Sequence, residues 1–261
     1  MAQIIVSVLA GLLAGFGTGF AGLSAAVFIA PMLTAFLHVD SFSAIGIALA
    51  SDVLASAASG AAYYRYGNTE LKKCRILMAT VILFAVIGSV AAHIFTGMAV
   101  GESIMGWWLV AASLLLGLKL LVFPSKAEQR NRQLLPFSNS TVMVLGGMYI
   151  GFVCGFQGTG GGLMLLFVLN ILLDIPFKKS VGTSVCIMAV TALIGTASHF
   201  MLRGVPDIKL LVICVVFTLL GAEAAAAIAN RIAPVTLKRV TGGLMTVSGV
   251  AMLIAKLLYD L

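Results

Sequence analysis

Apolar residues along this chain gather into ten runs of near membrane-spanning length. They cover residues 3–20, 22–37, 41–64, 75–97 and 103–123, then 140–157, 160–174, 180–202, 208–230 and 236–258. A helix needs about 20 predominantly apolar residues to cross the hydrocarbon core of a bilayer, so each run predicts a helix in or across a membrane. The one long polar break, from Pro124 to Asn139, carries Lys126, Glu128, Arg130, Arg132 and Pro136. It divides the chain into a first transmembrane repeat (1–123), a linker (124–139) and a second transmembrane repeat (140–261). The fold class is therefore all-α polytopic membrane protein, with about five hydrophobic segments in each half.

Two halves of five runs suggest an internal repeat, and the residues carry one. At an offset of 136, Gly11, Gly15, Phe16, Gly19, Phe20 and Gly22 match Gly147, Gly151, Phe152, Gly155, Phe156 and Gly158 without a gap. Further on, Gly46 matches Gly182, and Arg65-Tyr66-Gly67 nearly matches Leu202-Arg203-Gly204 after a one-residue slip. The trios Gly11/Gly15/Gly19 and Gly147/Gly151/Gly155, spaced by four, each line one helix face. Another helix backbone can approach closely there, so both stripes are read as packing surfaces.

Composition narrows the class. The chain has 261 residues, 61% of them apolar and 10% charged, with a mean hydropathy of +1.13. A soluble domain runs to about 45–50% apolar and about 25% charged, which excludes a soluble globular protein. No extramembrane domain of any size fits. The net charge of +7 points to loop asymmetry across a bilayer before it points to nucleic acid. Cys74, Cys154, Cys186 and Cys214 have no CxxC or Cys/His ligand spacing and are read as small buried hydrophobes. The start, Met-Ala-Gln-Ile-Ile, lacks a basic region and reads as a retained helix.

Loop charges predict the topology. If each half crosses an odd number of times, as five spans or three plus a re-entrant hairpin, one side receives Arg65, Lys72, Lys73, Arg75, Lys126, Arg130, Arg132, Lys178, Lys179, Arg231, Lys238 and Arg239. The other receives Arg203, Lys209 and Lys256, a split of 12 to 3. Counting the first two segments of each half as one crossing gives only 10 to 5. The positive-inside rule selects the first arrangement: inverted repeats, both termini outside and the linker in the cytoplasm.

The first two segments of each half are short and Gly-broken, at Gly19-Phe-Ala-Gly-Leu-Ser24 and at Gly155-Phe-Gln-Gly-Thr-Gly-Gly-Gly162. Interrupted helices at matching positions of inverted repeats point to a secondary transporter's binding site. Opening a helix frees N–H groups that lipid cannot satisfy, and a restarting helix N-terminus carries partial positive charge. An anion's oxygens suit such a place. The expected substrate contacts are Gln157, Gly158, Thr159, Gly160, Gly161, Thr183 and Ser184, with Gly22 and Ser24 from the first half. Tight helix crossing is the alternative reading of the glycines, and back-bonding to their own helix that of Thr183 and Ser184.

The second-half stretch, with Lys179-Ser-Val-Gly-Thr-Ser184 after it, resembles the TauE/SafE family of sulfite exporters and anion permeases. So does the tail through Gly221-Ala-Glu, Asn230-Arg-Ile-Ala-Pro, Leu237-Lys-Arg and Gly242-Gly. The resemblance covers nearly the whole chain and is clearer in the second half. In the first half Leu23-Ser24-Ala25-Ala26 replaces the triple glycine, while Pro31-Met-Leu33 keeps a family-like Pro-x-Leu. It implies a multi-pass protein of the bacterial inner membrane that transports small sulfur-containing or organic anions, with more of the polar contacts supplied by the second half.

Asp52 stands in mid-segment, where a carboxylate costs about 2.5–3.5 kcal/mol on insertion scales, and is a functional candidate by default. It is expected to face the central cavity and couple transport to a proton or to the substrate; a hydrogen bond tying two helices is the alternative. Glu223 is expected to be structural, partnered by Arg231. His93 and His199 read as interfacial hydrogen-bonders, and Trp107 and Trp108 as interface anchors. No Lys or Arg stands in mid-segment, so a midplane anion would be held by dipoles and hydroxyls, weakly enough to be released. Two other classes compete. A cation- or proton-driven carrier would use Asp52 as its cation site. A membrane-embedded enzyme would need clustered His, Cys or acidic groups, which three scattered histidines do not supply. No metal or cofactor is called for, and the partners expected are the anion and the lipid bilayer.

Overall fold

The computed structural model describes residues 2–94, 114–115, 117–122, 139–157 and 161–259. These residues form helices and short connections, with no strand among them. The first half holds α1 (Ala2–Ala21), α2 (Ala26–Leu37), α3 (Ser41–Arg65) and α4 (Arg75–Ile94). The second holds α5 (Asn139–Gln157), α6 (Gly162–Phe167), α7 (Phe177–Arg203), α8 (Ile208–Arg231) and α9 (Pro234–Tyr259). A π-helical turn, Val168–Leu172, prolongs α6. Residues 114–115 and 117–122 are helical as well. The linker, Trp107 and Trp108, and most of the 103–123 run lie outside the described residues.

The offset of 136 reappears in the backbone. Helices α2 and α6 restart at Ala26 and Gly162, and α3 and α7 begin at Ser41 and Phe177. His38 and Asp174 both adopt left-handed conformations, at φ +53° and +51°. The same closing bond follows each: the Val39 N–H donates to the Leu33 carbonyl, as the Ile175 N–H does to that of Leu169. Shared sequence has become shared geometry. Helix α7 starts three residues before its apolar run, because its charges are satisfied at the helix end. The Lys178 ammonium donates to the Asn230 carbonyl at 3.1 Å, and Lys179 pairs with Glu70 at 2.6 Å.

Helices α2 and α6 are too short to cross a membrane. Twelve residues of α2 span only about 18 Å at 1.5 Å per residue. Each folds back on the helix before it: a Cβ on Gly17 would lie 2.6 Å from the Phe28 ring, and one on Gly146 would touch Val168 at 3.4 Å. Among the described residues, four helices have spanning length and apolarity, within Gln3–Ala21, Ser43–Arg65, Phe177–Met201 and Ile208–Arg231.

The glycine stripes lie in the tightest seams. A Cβ on Gly15 would be 2.7 Å from the Ala222 nitrogen of α8, and one on Gly19 would be 2.6 Å from the Ala222 carbonyl. In the other half Gly147, Gly151 and Gly155 press against Thr80, Val81 and Ala85 of α4. The first helix of each half thus packs on the fourth helix of the other. Between them α3 and α7 run antiparallel, since Gly46 meets Phe200, Gly60 meets Cys186 and Gly182 meets Tyr63. Three of the four thiols are fully buried and Cys186 is half-buried; all are free. Glu223 does not pair with Arg231 as expected. Its side chain is exposed, and eight residues along a helix put the two about 12 Å apart.

Overpacking a close seam costs about 1–3 kcal/mol, so Gly15→Val and Gly151→Val are expected to lower the thermal unfolding temperature in detergent by several degrees. Gly243, with nothing within 4 Å of its Cβ position, is the control. Gly243→Ala is expected to be neutral or mildly stabilising, because Ala is the better helix former.

Candidate functional site

The two helix breaks meet at the centre of the molecule. Gly22 closes α1 at φ +63° and Gly161 precedes α6 at φ +68°, a left-handed conformation that glycine adopts without steric cost. A Cβ on Gly162 would collide with the Gly22 carbonyl and lie 2.8 Å from the Met188 sulfur. Ser184 lies on the other side of Gly22, its hydroxyl 2.6 Å from where a Cβ would stand. The α7 residues in contact, Val181, Ser184 and Met188, lie in the first half of that helix and are all buried.

In the first break the freed backbone groups find protein partners. The Gly22 N–H donates to Thr18 O at 2.9 Å and the Leu23 N–H to Gly17 O at 3.2 Å. The Leu23 carbonyl accepts from the Thr18 hydroxyl at 2.9 Å. Tyr63 donates to Gly19 O at 2.9 Å, and Thr241 of α9 to Phe20 O at 3.1 Å. At the start of α2, Asp52 completes the set. Its Oδ1 accepts from the Ala25 N–H at 2.7 Å, and its Oδ2 from the Ser24 hydroxyl. Asp52 is fully buried; it ties α3 to the break instead of lining an open cavity. A carboxylate at a helix N-terminus is electrostatically favoured, and here it takes the position an anion would take.

At the second break the position that corresponds to Asp52 has no carboxylate. The offset that carries Ala26 to Gly162 carries Asp52 to Met188, Ser24 to Gly160 and Ala25 to Gly161. Gly161 is buried against Cys154 and Ile150. Gly158, Thr159 and Gly160 lie outside the described residues, as does the side chain of Gln157. The hydroxyls expected to join this break are turned elsewhere. Ser184 donates to Val181 O of its own helix at 2.8 Å, facing Gly22 of the first half. Thr183 donates to Lys179 O at 2.6 Å and accepts from the Glu70 N–H at 2.9 Å.

That second group forms a polar cluster at one end of the bundle, where the 66–74 connection, the start of α7 and the end of α8 converge. The Asn68 amide donates to the Asn230 side chain at 2.6 Å, and the Lys179 ammonium to Glu70. The Lys179 ammonium beside Glu70 holds its carboxyl below the usual glutamate range. Glu70, Asn68, Thr18 and Tyr63 were not singled out by their residue types. The loop and hydroxyl signals are too common to stand out before the chain is folded. Three basic groups counted to one side of the membrane, at 72–75, 178–179 and 238, do come together here, with Lys238 lying 5.9 Å from the centre of the Phe177 ring.

Spanning apolar helices, glycine-packed seams and two broken helices meeting inside the bundle define a multi-pass α-helical membrane protein. Residues 7–252 match the family model described as Sulfite exporter TauE/SafE, and the chain belongs to that family. The probable membrane transporter protein YdhB of Bacillus subtilis is 27% identical over 91% of this chain and 94% of its own. A probable membrane transporter protein of Haemophilus influenzae is 26% identical over 69% of this chain and 67% of its own. The protein is a membrane transporter, located in the cell membrane.

Removing the Asp52 carboxylate takes the acceptor from the buried Ala25 N–H, at a cost of about 1–3 kcal/mol. Asp52→Ala is expected to lower the unfolding temperature in detergent. In a double-mutant cycle, Ser24→Ala and Asp52→Asn should couple by about 0.5–3 kcal/mol. Additive effects would show that the bond carries no stability.

Proposed function

We propose that this transporter is a secondary carrier of small anions, of the sulfur-containing oxyanion or organosulfonate class to which sulfite belongs, and that it binds them at the Gln157–Gly162 break. One observation carries the reading. At the first break the start of α2 receives its own carboxylate from Asp52, whereas the equivalent position in the second half is Met188. The Asp52 position carries no charge in the second half, and in this reading an anion from outside takes the place that the carboxylate takes in the first. The family description, sulfite exporter, points the same way. A carrier that holds a cation on Asp52 is the second reading, and the flux measurements below separate the two.

Inverted repeats fit the antiparallel run of α3 and α7 and the exchanged helix pairing of the halves. The positive-inside rule puts the end bearing Glu70 and Lys179 in the cytoplasm and both termini outside. Asp52 is the coupling residue in this scheme. Ionised, it accepts from Ser24 and Ala25 and repels a nearby anion; protonated, it gives up one acceptor and can donate a hydrogen bond. Proton uptake thereby favours anion binding.

Purified protein in liposomes is expected to move sulfite or acetate-type anions and not alkali cations, and cation flux without anion flux would overturn the reading. Gly160→Val should abolish anion flux while leaving folded protein in the membrane; normal flux would place the site elsewhere. Asp52→Asn should retain anion exchange and lose the pH dependence of net flux, and an unchanged pH profile would leave Asp52 a purely structural group. Labelling of a cysteine placed beyond Lys256 from the cytoplasmic side would reverse the topology.

A further inference from the structure

The two ends of the α3–α7 pair are equivalent by the internal repeat, and they are not in the same state. At one end Gly182 packs against Tyr63; at the other Gly46 packs against Phe200, with Tyr63 and Phe200 related by the same one-residue slip that relates Gly67 to Gly204. At the first end a Cβ on Gly182 would collide with the Asn68 carbonyl and come within 2.8 Å of the Tyr63 Cβ. At the second, the nearest atom to a Cβ on Gly46 is a Phe200 ring carbon at 3.5 Å. A cavity of about 50 Å³ opens there, lined by Ser43, Gly46, His199, Phe200, Gly204 and Pro206. The closed end is the one that carries the polar cluster. Lys179 pairs with Glu70 at 2.6 Å, the Glu70 N–H is held by Thr183, and Asn68 bonds to Asn230 across the same junction.

We infer that Glu70 and Lys179, seconded by Asn68 and Asn230, form the gate that closes the transport path at the basic end, and that the Ser43–Phe200 cavity is the mouth at the opposite end. The inference rests on the reading of the chain as an alternating-access carrier built from inverted repeats. Exchanging the conformations of the two halves converts one end into the other, so opening the basic end requires the Glu70–Lys179 pair to part and the cavity at Ser43 to close. Closure at the basic end is polar because the 66–74 connection brings a carboxylate onto the first turn of α7. At the other end the corresponding position to Lys179 is Ser43, so the ion pair has no counterpart.

Cys186 reports on the gate. It lies one turn deeper than Gly182 on α7, its sulfur 2.9 Å from where a Cβ on Gly60 would stand in the α3–α7 seam. In a Cys74→Ala, Cys154→Ala, Cys214→Ala background it is the sole thiol, and its modification by a charged, membrane-impermeant methanethiosulfonate measures opening from the basic side. Glu70→Lys and Lys179→Glu singly are each expected to raise that rate about fivefold or more, the scale of a coupling of about 1 kcal/mol. The exchange of both charges, Glu70→Lys with Lys179→Glu, is expected to restore the slow rate. In parallel, Cys186→Ala with Ser43→Cys places the sole thiol in the opposite cavity, and its labelling should slow when the single charge variants open the gate. Single variants that label at the parental rate, or a double exchange that fails to restore it, overturn the gate. A rise at both ends overturns it too, since that is general loosening. Variants that do not yield monodisperse protein are replaced by Glu70→Gln and Lys179→Met, with the same expectations. Because the labelling needs no substrate, a responsive gate in a protein that moves alkali cations and none of the anions would refute the anion reading alone, and anion flux with an unresponsive gate would refute the gate alone.

Discussion

Main-chain polar groups opened at the middle of a membrane must be satisfied by the protein itself, because lipid offers no partner and each unsatisfied group costs several kcal/mol. Two helices of this protein are broken there, and much of the architecture follows from closing that account. Thr18, Tyr63, Asp52 and Thr241 come from three different helices, and Ser24 from the break itself, to serve the first break. The short helices α2 and α6 fold back on the helices before them, and Gly162 at the start of α6 lies against the Gly22 carbonyl.

That convergence demands that α1 and α5 approach their neighbours closely enough to bring both breaks to one point. The glycine stripes allow it: carbonyls of α8 and α4 lie where Cβ atoms would otherwise stand. The first helix of each half packs on the fourth of the other, a cross-pairing that locks the halves together and leaves α3 and α7 as the antiparallel pair between them. A structure held by backbone-to-backbone contact is stiff along those seams. The α3–α7 pair, with a cavity at one end and a polar closure at the other, is where the two halves differ.

The two halves differ at their helix breaks. Asp52 stands at the start of α2, and its counterpart at the offset of 136 is Met188. The carboxylate finishes the hydrogen-bonding of the first break. Some features are shared by both halves, such as the left-handed residues His38 and Asp174, and others are not: Ala25 is right-handed where its counterpart Gly161 is left-handed.

Much of this was legible in the residues alone. Apolar run lengths identify the helices because a bilayer sets their length. Glycines spaced by four identify the packing faces because α-helical geometry is local, and the offset of 136 located both breaks because clustered glycine is a poor helix interior wherever it occurs. The polar residues were another matter. Residue type marked Asp52, Thr183 and Ser184 as groups in need of a partner, but not which partner. Only the folded chain set Asp52 against Ser24, turned Ser184 toward the first break, and carried Thr183 to Glu70 at the end of the bundle. Each of those pairings joins a helix residue to a connection distant in the sequence. They depend on the rotation and depth of one helix against another, and that is decided by the packing of all of them at once.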